Sequence, residues 1–217
     1  MLYSYFLKRT IDFIVAFFVL AVIWPILLLL IIFLHFTNKG AGVFFTQDRP
    51  GKNAQIFKAI KFKTMTDERD SEGNLLPDAK RLTKIGKIVR SLSIDELPQL
   101  INVLKGDMSV VGPRPEMLAN VFNYTSVLPE FEYRLRVKAG ITGHAQIAGK
   151  YNTSPKDKLI LDLTYIEEYS FWLDIKLLFQ TLIVLFKKDS TEAFHRGEEL
   201  VFEEYQPPEP EHTSGVE

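Results

Sequence analysis

Apolar residues form one uninterrupted block near the N-terminus and shorter clusters after it. Phe13 to Phe36 is 24 residues without a formal charge. That is enough to cross a bilayer, which takes about 20 residues, and far more than the ~7–15 apolar residues of a signal peptide. Pro25 sits at the middle of the block. It removes a backbone donor and crowds the preceding turn, so a kink or break is expected there. Each half is then about 17 Å long, roughly half the hydrocarbon thickness. Lys8 and Arg9 precede the block; Lys39, Arg49 and Lys52 follow it. Positive residues favour the cytoplasmic side. A kinked spanning helix and a re-entrant helix–break–helix both fit the length, and the re-entrant form also satisfies both flanks.

Beyond the block the pattern shortens. Val43 to Thr64 alternates around the turn-rich stretch Asp48 to Asn53, which predicts a β-hairpin. Thr66 to Asp78 is polar and reads as a surface loop. Arg81 to Arg90 reads as a short basic helix, and Ser93 to Lys105 as a helix closed by Gly106. Asp107 to Pro115 reads as an irregular loop. Two short helices are expected before the glycine-punctuated loop Gly140 to Gly149, and Pro155 to Tyr169 is a further helix. In Phe171 to Phe186, 12 of 16 residues are apolar, too short a run to span. Asp174, Thr181 and Lys188 recur at intervals of seven, with Gln180 and Lys187 beside them, so one polar stripe runs along this helix. An interfacial amphipathic helix and a core helix both fit that pattern.

Charge divides the chain. The overall net charge is −1, but Asp189 to Glu217 holds nine acidic groups against one basic group, Arg196, for a net of −8. The other 25 basic and 18 acidic groups leave the body at +7. A basic body points to anionic partners such as phosphates, nucleotides or an acidic membrane surface. The acidic tail, with Pro207 and Pro208, is expected to be disordered. Zero cysteines exclude disulfides, a thiolate nucleophile, Cys-ligated zinc and iron–sulfur clusters.

No phosphate-loop, dinucleotide-binding, nucleophile-elbow or His-Glu-x-x-His motif occurs, and the four histidines are scattered. What remains is carboxylates among basic residues, most densely in Arg90-Ser-Leu-Ser-Ile-Asp95-Glu96-Leu-Pro98. A purely structural reading is available. Ser93 and Glu96 fit a capping box, or Asp95 is itself the N-cap with Pro98 in the first turn. A functional reading uses the same geometry. A helix start suits phosphate, Arg90 lies one turn upstream, and Lys61 and Arg114 lie in neighbouring segments. A carboxylate beside bound phosphate can act as a nucleophile or hold Mg²⁺. Gly112-Pro113-Arg114-Pro115 reads either as a rigid turn or as a restrained arginine suited to bidentate phosphate recognition.

At these residues the chain resembles the bacterial sugar transferases, the monotopic polyprenyl-phosphate hexose-1-phosphate transferases (small phosphoglycosyl transferases). The likeness is carried by Lys8-Arg9-x-x-Asp12, Gln47-Asp-Arg49-Pro-Gly51, Lys61-Phe-Lys-Thr-Met65, the long block Arg90 to Pro115, Val137 to Gln146, and Tyr169 to Lys176. It runs from about Phe6 to Lys188. Lys63 stands where the family often has Arg, and Ala139 where it often has Pro.

The resemblance implies transfer of a sugar 1-phosphate from a UDP-sugar to polyprenyl (undecaprenyl) phosphate, giving a polyprenyl-diphosphate sugar and UMP, and so starting a bacterial surface glycan. It implies a covalent phospho-aspartate on Asp95, Glu96 completing the dyad, and Mg²⁺ with Asp95 as its side-chain ligand. Arg90, Arg114, Lys61 and Arg49 carry over as phosphate contacts. The implied fold is mainly α with a small β-hairpin. Residues 1–38 form a re-entrant membrane anchor broken at Pro25, and 39–188 a cytosolic catalytic unit with an interfacial helix near 171–188. Residues 189–217 are the acidic tail. The implied place is the cytoplasmic face of the plasma membrane, with membrane lipids as partners and a homodimer compatible with the pattern. A non-catalytic module that binds anionic lipid or nucleotide is the alternative. It gives no role to acids inside a basic pocket. Nucleic-acid binding is not expected: the body is only mildly basic, and no recognition motif occurs.

Overall fold

The computed structural model describes residues 3–148 and 153–185. The apolar block and its basic lead-in form one helix, α1 (Lys8–Thr37), with Pro25 inside it. The expected break is therefore not a change of secondary structure. A proline forfeits one backbone hydrogen bond and can leave the turns on both sides helical. Phe13, Phe17, Trp24, Leu29 and Phe33 are exposed, so the middle of α1 packs on little else in the chain.

Both ends of α1 are held. Near its start, Asp12 is buried and accepts from the Val110 amide at 3.0 Å. Arg9 donates to the carbonyls of Val103 and Leu104. At its far end, buried Asn38 donates through Nδ2 to Gly42 O at 2.8 Å and to Lys63 O at 2.7 Å.

The hairpin forms as its alternation predicts. β1 (Phe44–Pro50) pairs antiparallel with β2 (Ile56–Phe62), from Phe44 opposite Phe62 to Pro50 opposite Ile56. The basic helix divides into a single turn, α2 (Asp78–Arg81), and α3 (Lys84–Ser91). The Thr83 side chain caps α3, accepting from the Gly86 amide at 2.9 Å.

The expected helix from Ser93 to Lys105 is also two pieces. A 3₁₀ turn covers Ile94–Glu96, and α4 (Gln99–Lys105) follows Pro98. Gly106, with φ 95°, closes α4 in the left-handed conformation that glycine tolerates. Buried Asn102 ties α4 to β2. Its Oδ1 accepts from the Ile60 amide at 3.1 Å, and its Nδ2 donates to Lys58 O at 2.8 Å.

The expected irregular loop after α4 contains a strand. β3 (Ser109–Val111) pairs in parallel with β4 (Gly140–Thr142). The pairing needs glycine: a Cβ on Gly140 would lie 2.1 Å from Gly112 N. Between these strands run α5 (Leu118–Val127) and a 3₁₀ segment, Pro129–Arg136. α6 (His144–Ala148), α7 (Pro155–Glu167) and α8 (Phe171–Leu185) complete the body.

The core gathers Ala59, Leu100, Val103, Met108, Val111 and Tyr165. α8 turns Asp174 and Thr181 inward, while Lys176 is exposed. Asp174 is buried, and Thr181 Oγ1 lies 2.7 Å from Thr142 Oγ1. Trp172, Phe179, Leu182 and Ile183 face outward. The acidic tail, 189–217, lies outside the described residues.

Candidate active site

The capping reading of Asp95-Glu96 does not hold. Ser93 is left-handed (φ 54°) and makes no side-chain cap. Glu96 instead bonds across the fold. Lys61 Nζ, on β2, donates to Glu96 Oε1 at 2.7 Å. Arg114, in the loop after β3, spans both oxygens, with Nη1 to Oε2 at 2.8 Å and Nη2 to Oε1 at 2.5 Å. The fork uses the bidentate geometry that guanidinium offers and an ammonium does not.

The two carboxylates differ in electrostatics. Burial would raise Glu96, but Arg114 and Lys61 outweigh it and hold its pKa at about 2. Burial lifts Asp95 to about 6, and the Glu96 charge adds to the rise, while Lys61 and Arg90 restrain it. No other side chain among the described residues hydrogen-bonds the Asp95 carboxylate. One acid is locked and ionised; its neighbour is strained toward protonation and open. A perturbed pKa of this kind, with named partners, marks candidate chemistry.

Five of the six residues singled out in the sequence meet here. Arg90, on α3, donates from Nε to Thr64 Oγ1 at 2.8 Å, and its charge bears on Asp95. The sixth, Arg49, lies deeper. Its Nη1 donates to Pro115 O at 3.0 Å and its Nη2 to Gln47 Oε1 at 2.5 Å. It thus grips the backbone of the Arg114 loop.

A second arginine, which sequence reasoning missed, does the same. Arg134 Nη2 donates to Arg114 O at 2.9 Å and pairs with buried Asp162 at 2.7 Å. Nearby, Lys158 Nζ donates to Glu116 Oε1 at 2.7 Å. Arg134, Asp162 and Lys158 lie in ordinary helical sequence, and only their meeting in space marks them.

No group of three or more His, Asp or Glu among the described residues is arranged to hold a metal by itself. Mg²⁺ does not require one. It is commonly bound through one or two carboxylates, substrate phosphates and waters. The open Asp95 carboxylate fits that role.

Comparison with known proteins agrees with the geometry. The model of the bacterial sugar transferase family matches residues 3–188. The chain is 49% identical over 176 residues to the sugar transferase EpsL of Bacillus subtilis (strain 168), covering 81% of this chain and 85% of EpsL. It is 42% identical over 183 residues to the UDP-glucose:undecaprenyl-phosphate glucose-1-phosphate transferase of Klebsiella pneumoniae, covering 81% of this chain and 39% of that protein. Against the UDP-N-acetylgalactosamine-undecaprenyl-phosphate N-acetylgalactosaminephosphotransferase of Aeromonas hydrophila, identity is 37% over 182 residues, 82% of this chain and 43% of that one. The chain thus spans most of EpsL but less than half of the other two. The family match covers α1, the hairpin, Asp95-Glu96 and α8, and the chain belongs to the bacterial sugar transferase family.

Proposed function

We propose that the chain transfers a sugar 1-phosphate from a UDP-sugar to undecaprenyl phosphate through a phospho-aspartate on Asp95. The observation that carries this reading is the asymmetry of the dyad: Glu96 is held by three donated hydrogen bonds, and Asp95 is left open beside it. In the first step Asp95 Oδ attacks the sugar-bearing phosphorus of the donor. A new O–P bond forms, the bridging P–O bond breaks, and UMP leaves with the electron pair. In the second step an oxygen of the lipid phosphate attacks the same phosphorus and the Asp95 carboxylate departs. No water, oxidant or second nucleotide is consumed, and the acyl phosphate keeps the transfer potential of the donor.

Arg114 and Lys61 position Glu96 and give the site the positive field that a diphosphate requires. Arg90 adds charge beside Asp95. Mg²⁺, when held by Asp95 and donor oxygens, supplies charge neutralisation between carboxylate and diphosphate.

The lipid acceptor sets where this happens. Both ends of α1 are tied to one body while most of its apolar middle is exposed, which supports a re-entrant anchor on the cytoplasmic face of the plasma membrane. The outward apolar face of α8 supports an interfacial position. Cysteines introduced at Phe6 and Lys39 should both react only from the cytoplasmic side. Labelling of either one alone from outside intact cells would establish a full crossing.

The reaction is tested with purified protein, Mg²⁺, undecaprenyl phosphate and a panel of UDP-sugars, following UMP. Stopping the reaction without acceptor should leave a sugar-phosphate adduct on Asp95 by mass spectrometry. Product formation with position 95 never modified would overturn the covalent route.

A further inference from the structure

A second group of cations stands apart from the dyad. The hairpin turn and the C-terminal end of α4 enclose a cavity of about 180 Å³, lined among others by Lys52, Asn53, Asp107 and Lys138. Gly106 also forms its wall, and Arg9 packs there: a Cβ on Gly106 would lie 3.4 Å from the guanidinium carbon. Lys52 and Lys138 therefore line the cavity together with Asp107, and the Arg9 guanidinium, which donates to Val103 O and Leu104 O, packs beside Gly106. Burial and the charges of Arg9 and Lys52 pull the Lys138 ammonium below its ordinary value, while Asp12 and Asp107 oppose that. Each acid also accepts a hydrogen bond from a neutral amide. Asp12 accepts from Val110 N, and Asp107 accepts from Asn102 Nδ2 at 3.1 Å. Lys138 hydrogen-bonds none of the described residues. Two lysines against one carboxylate in the lining, with an arginine beside it, leave the cavity a positive excess that favours an anion.

Position narrows the anion. Arg9 lies one turn before Phe13, where the apolar block begins, with its guanidinium over the Phe13 ring at 5.8 Å. If α1 enters the membrane, the cavity sits at headgroup depth. Ten residues of mostly helical chain separate Asp95 from Gly106, roughly 15 Å. A phosphate in the cavity is too far from Asp95 to be the reacting one.

We propose that this cavity binds the phosphate headgroup of an anionic phospholipid and seats the anchor in the bilayer, separately from the transfer site. The proposal rests on reading α1 as the membrane anchor.

The full-length protein in detergent is incubated with phosphatidylglycerol and phosphatidylcholine of matched chains, and the retained lipid is read by native mass spectrometry. A lysine at an anionic surface is worth about fivefold in affinity, so the wild type should prefer phosphatidylglycerol by about tenfold or more. Lys52→Gln with Lys138→Gln should bring that ratio close to one. Asn53→Asp, at a left-handed position that Asp tolerates, should lower it with both lysines in place. UMP release in phosphatidylcholine nanodiscs should not change in these variants. An unchanged lipid ratio in the double variant overturns the proposal. So does loss of the lipid to millimolar inorganic phosphate, which marks a free-anion site, or to UMP, which marks a donor site. Protein that retains phosphatidylglycerol but releases no UMP from any donor sinks the transfer reading and leaves this one standing.

Discussion

The base of α1 and the start of α4 each bring carboxylates and cations together, and they do it differently. At the base of α1, Asp174 takes Lys8 and Tyr3 on one oxygen, and Tyr165 on the other at 2.8 Å. Lys8, Asp12 and Asp174 are all buried, and each has a partner. Before α4, Glu96 accepts from both Lys61 and Arg114, and Asp95 accepts from no other side chain. The first cluster is closed and joins anchor, α8 and β3. The second is closed on one acid only; the other accepts no side-chain hydrogen bond, and burial first and the Glu96 charge second raise its pKa. Full pairing makes a joint, and the incompletely paired acid is where the proposed chemistry falls.

The largest expected effect falls on the open acid. Asp95→Asn should cut UMP release by about 10⁴-fold or more, since it removes the proposed nucleophile. Its melting temperature should hold or rise, because the amide does not carry the charge that burial disfavours. A variant that unfolds would show that Asp95 belongs to the joint type after all. Asp174→Asn should do the reverse. It leaves Lys8 buried with Asp12 at 3.9 Å as its remaining partner, at a cost of about 3 kcal/mol in stability. Combining it with Lys8→Met should recover much of the loss, measured by thermal unfolding in detergent.

This division was only partly legible in the chain. The apolar block, the hairpin, α7 and α8 follow from periodicity and turn residues, because local pattern decides them. Asp95, Glu96, Lys61, Arg90 and Arg114 stood out as charges in short, distinctive segments. Three features were not readable. The β3–β4 ladder pairs segments about 30 residues apart through three-residue strands, too short to show alternation. Pro98 divides the expected helix because the left-handed Ser93 starts a 3₁₀ turn, and serine in that state has no sequence mark. Arg49 was expected at substrate phosphate, but its guanidinium reaches Pro115 O and Gln47, a destination fixed by the hairpin's packing.

A smaller effect tests how Glu96 is closed. Arg114→Lys keeps the charge and loses the fork. Glu96 should then titrate higher, and turnover should fall about 10–100-fold with little change in melting temperature, since Arg114 is exposed. If Arg114→Lys matches wild type in turnover, the fork is not what sets the dyad.

The smallest effect comes from a closed cluster near the site, where charge alone should matter. Burial would raise Glu116, but Lys158, then Arg134 and Arg114, bring its pKa below the ordinary 4.5. A folded pKa below the unfolded one stabilises above about pH 4.5, and that gain is lost as pH falls through the folded value. Lys158→Met removes the largest lowering influence, so it should unfold earlier at pH 7. The Lys158 and Glu116 side chains are 28% and 12% exposed, so the loss should be about 0.5–1 kcal/mol, or ~1–4 °C. The gap from wild type should close as pH falls through the folded pKa of Glu116, below which neither protein keeps that charge. Turnover should stay within about twofold, because Arg134 still holds Arg114 O. A gap that persists in acid would assign the loss to packing of the lysine stem instead. The cluster would then be joined by shape rather than charge, and the contrast with Asp95 would lose its electrostatic basis.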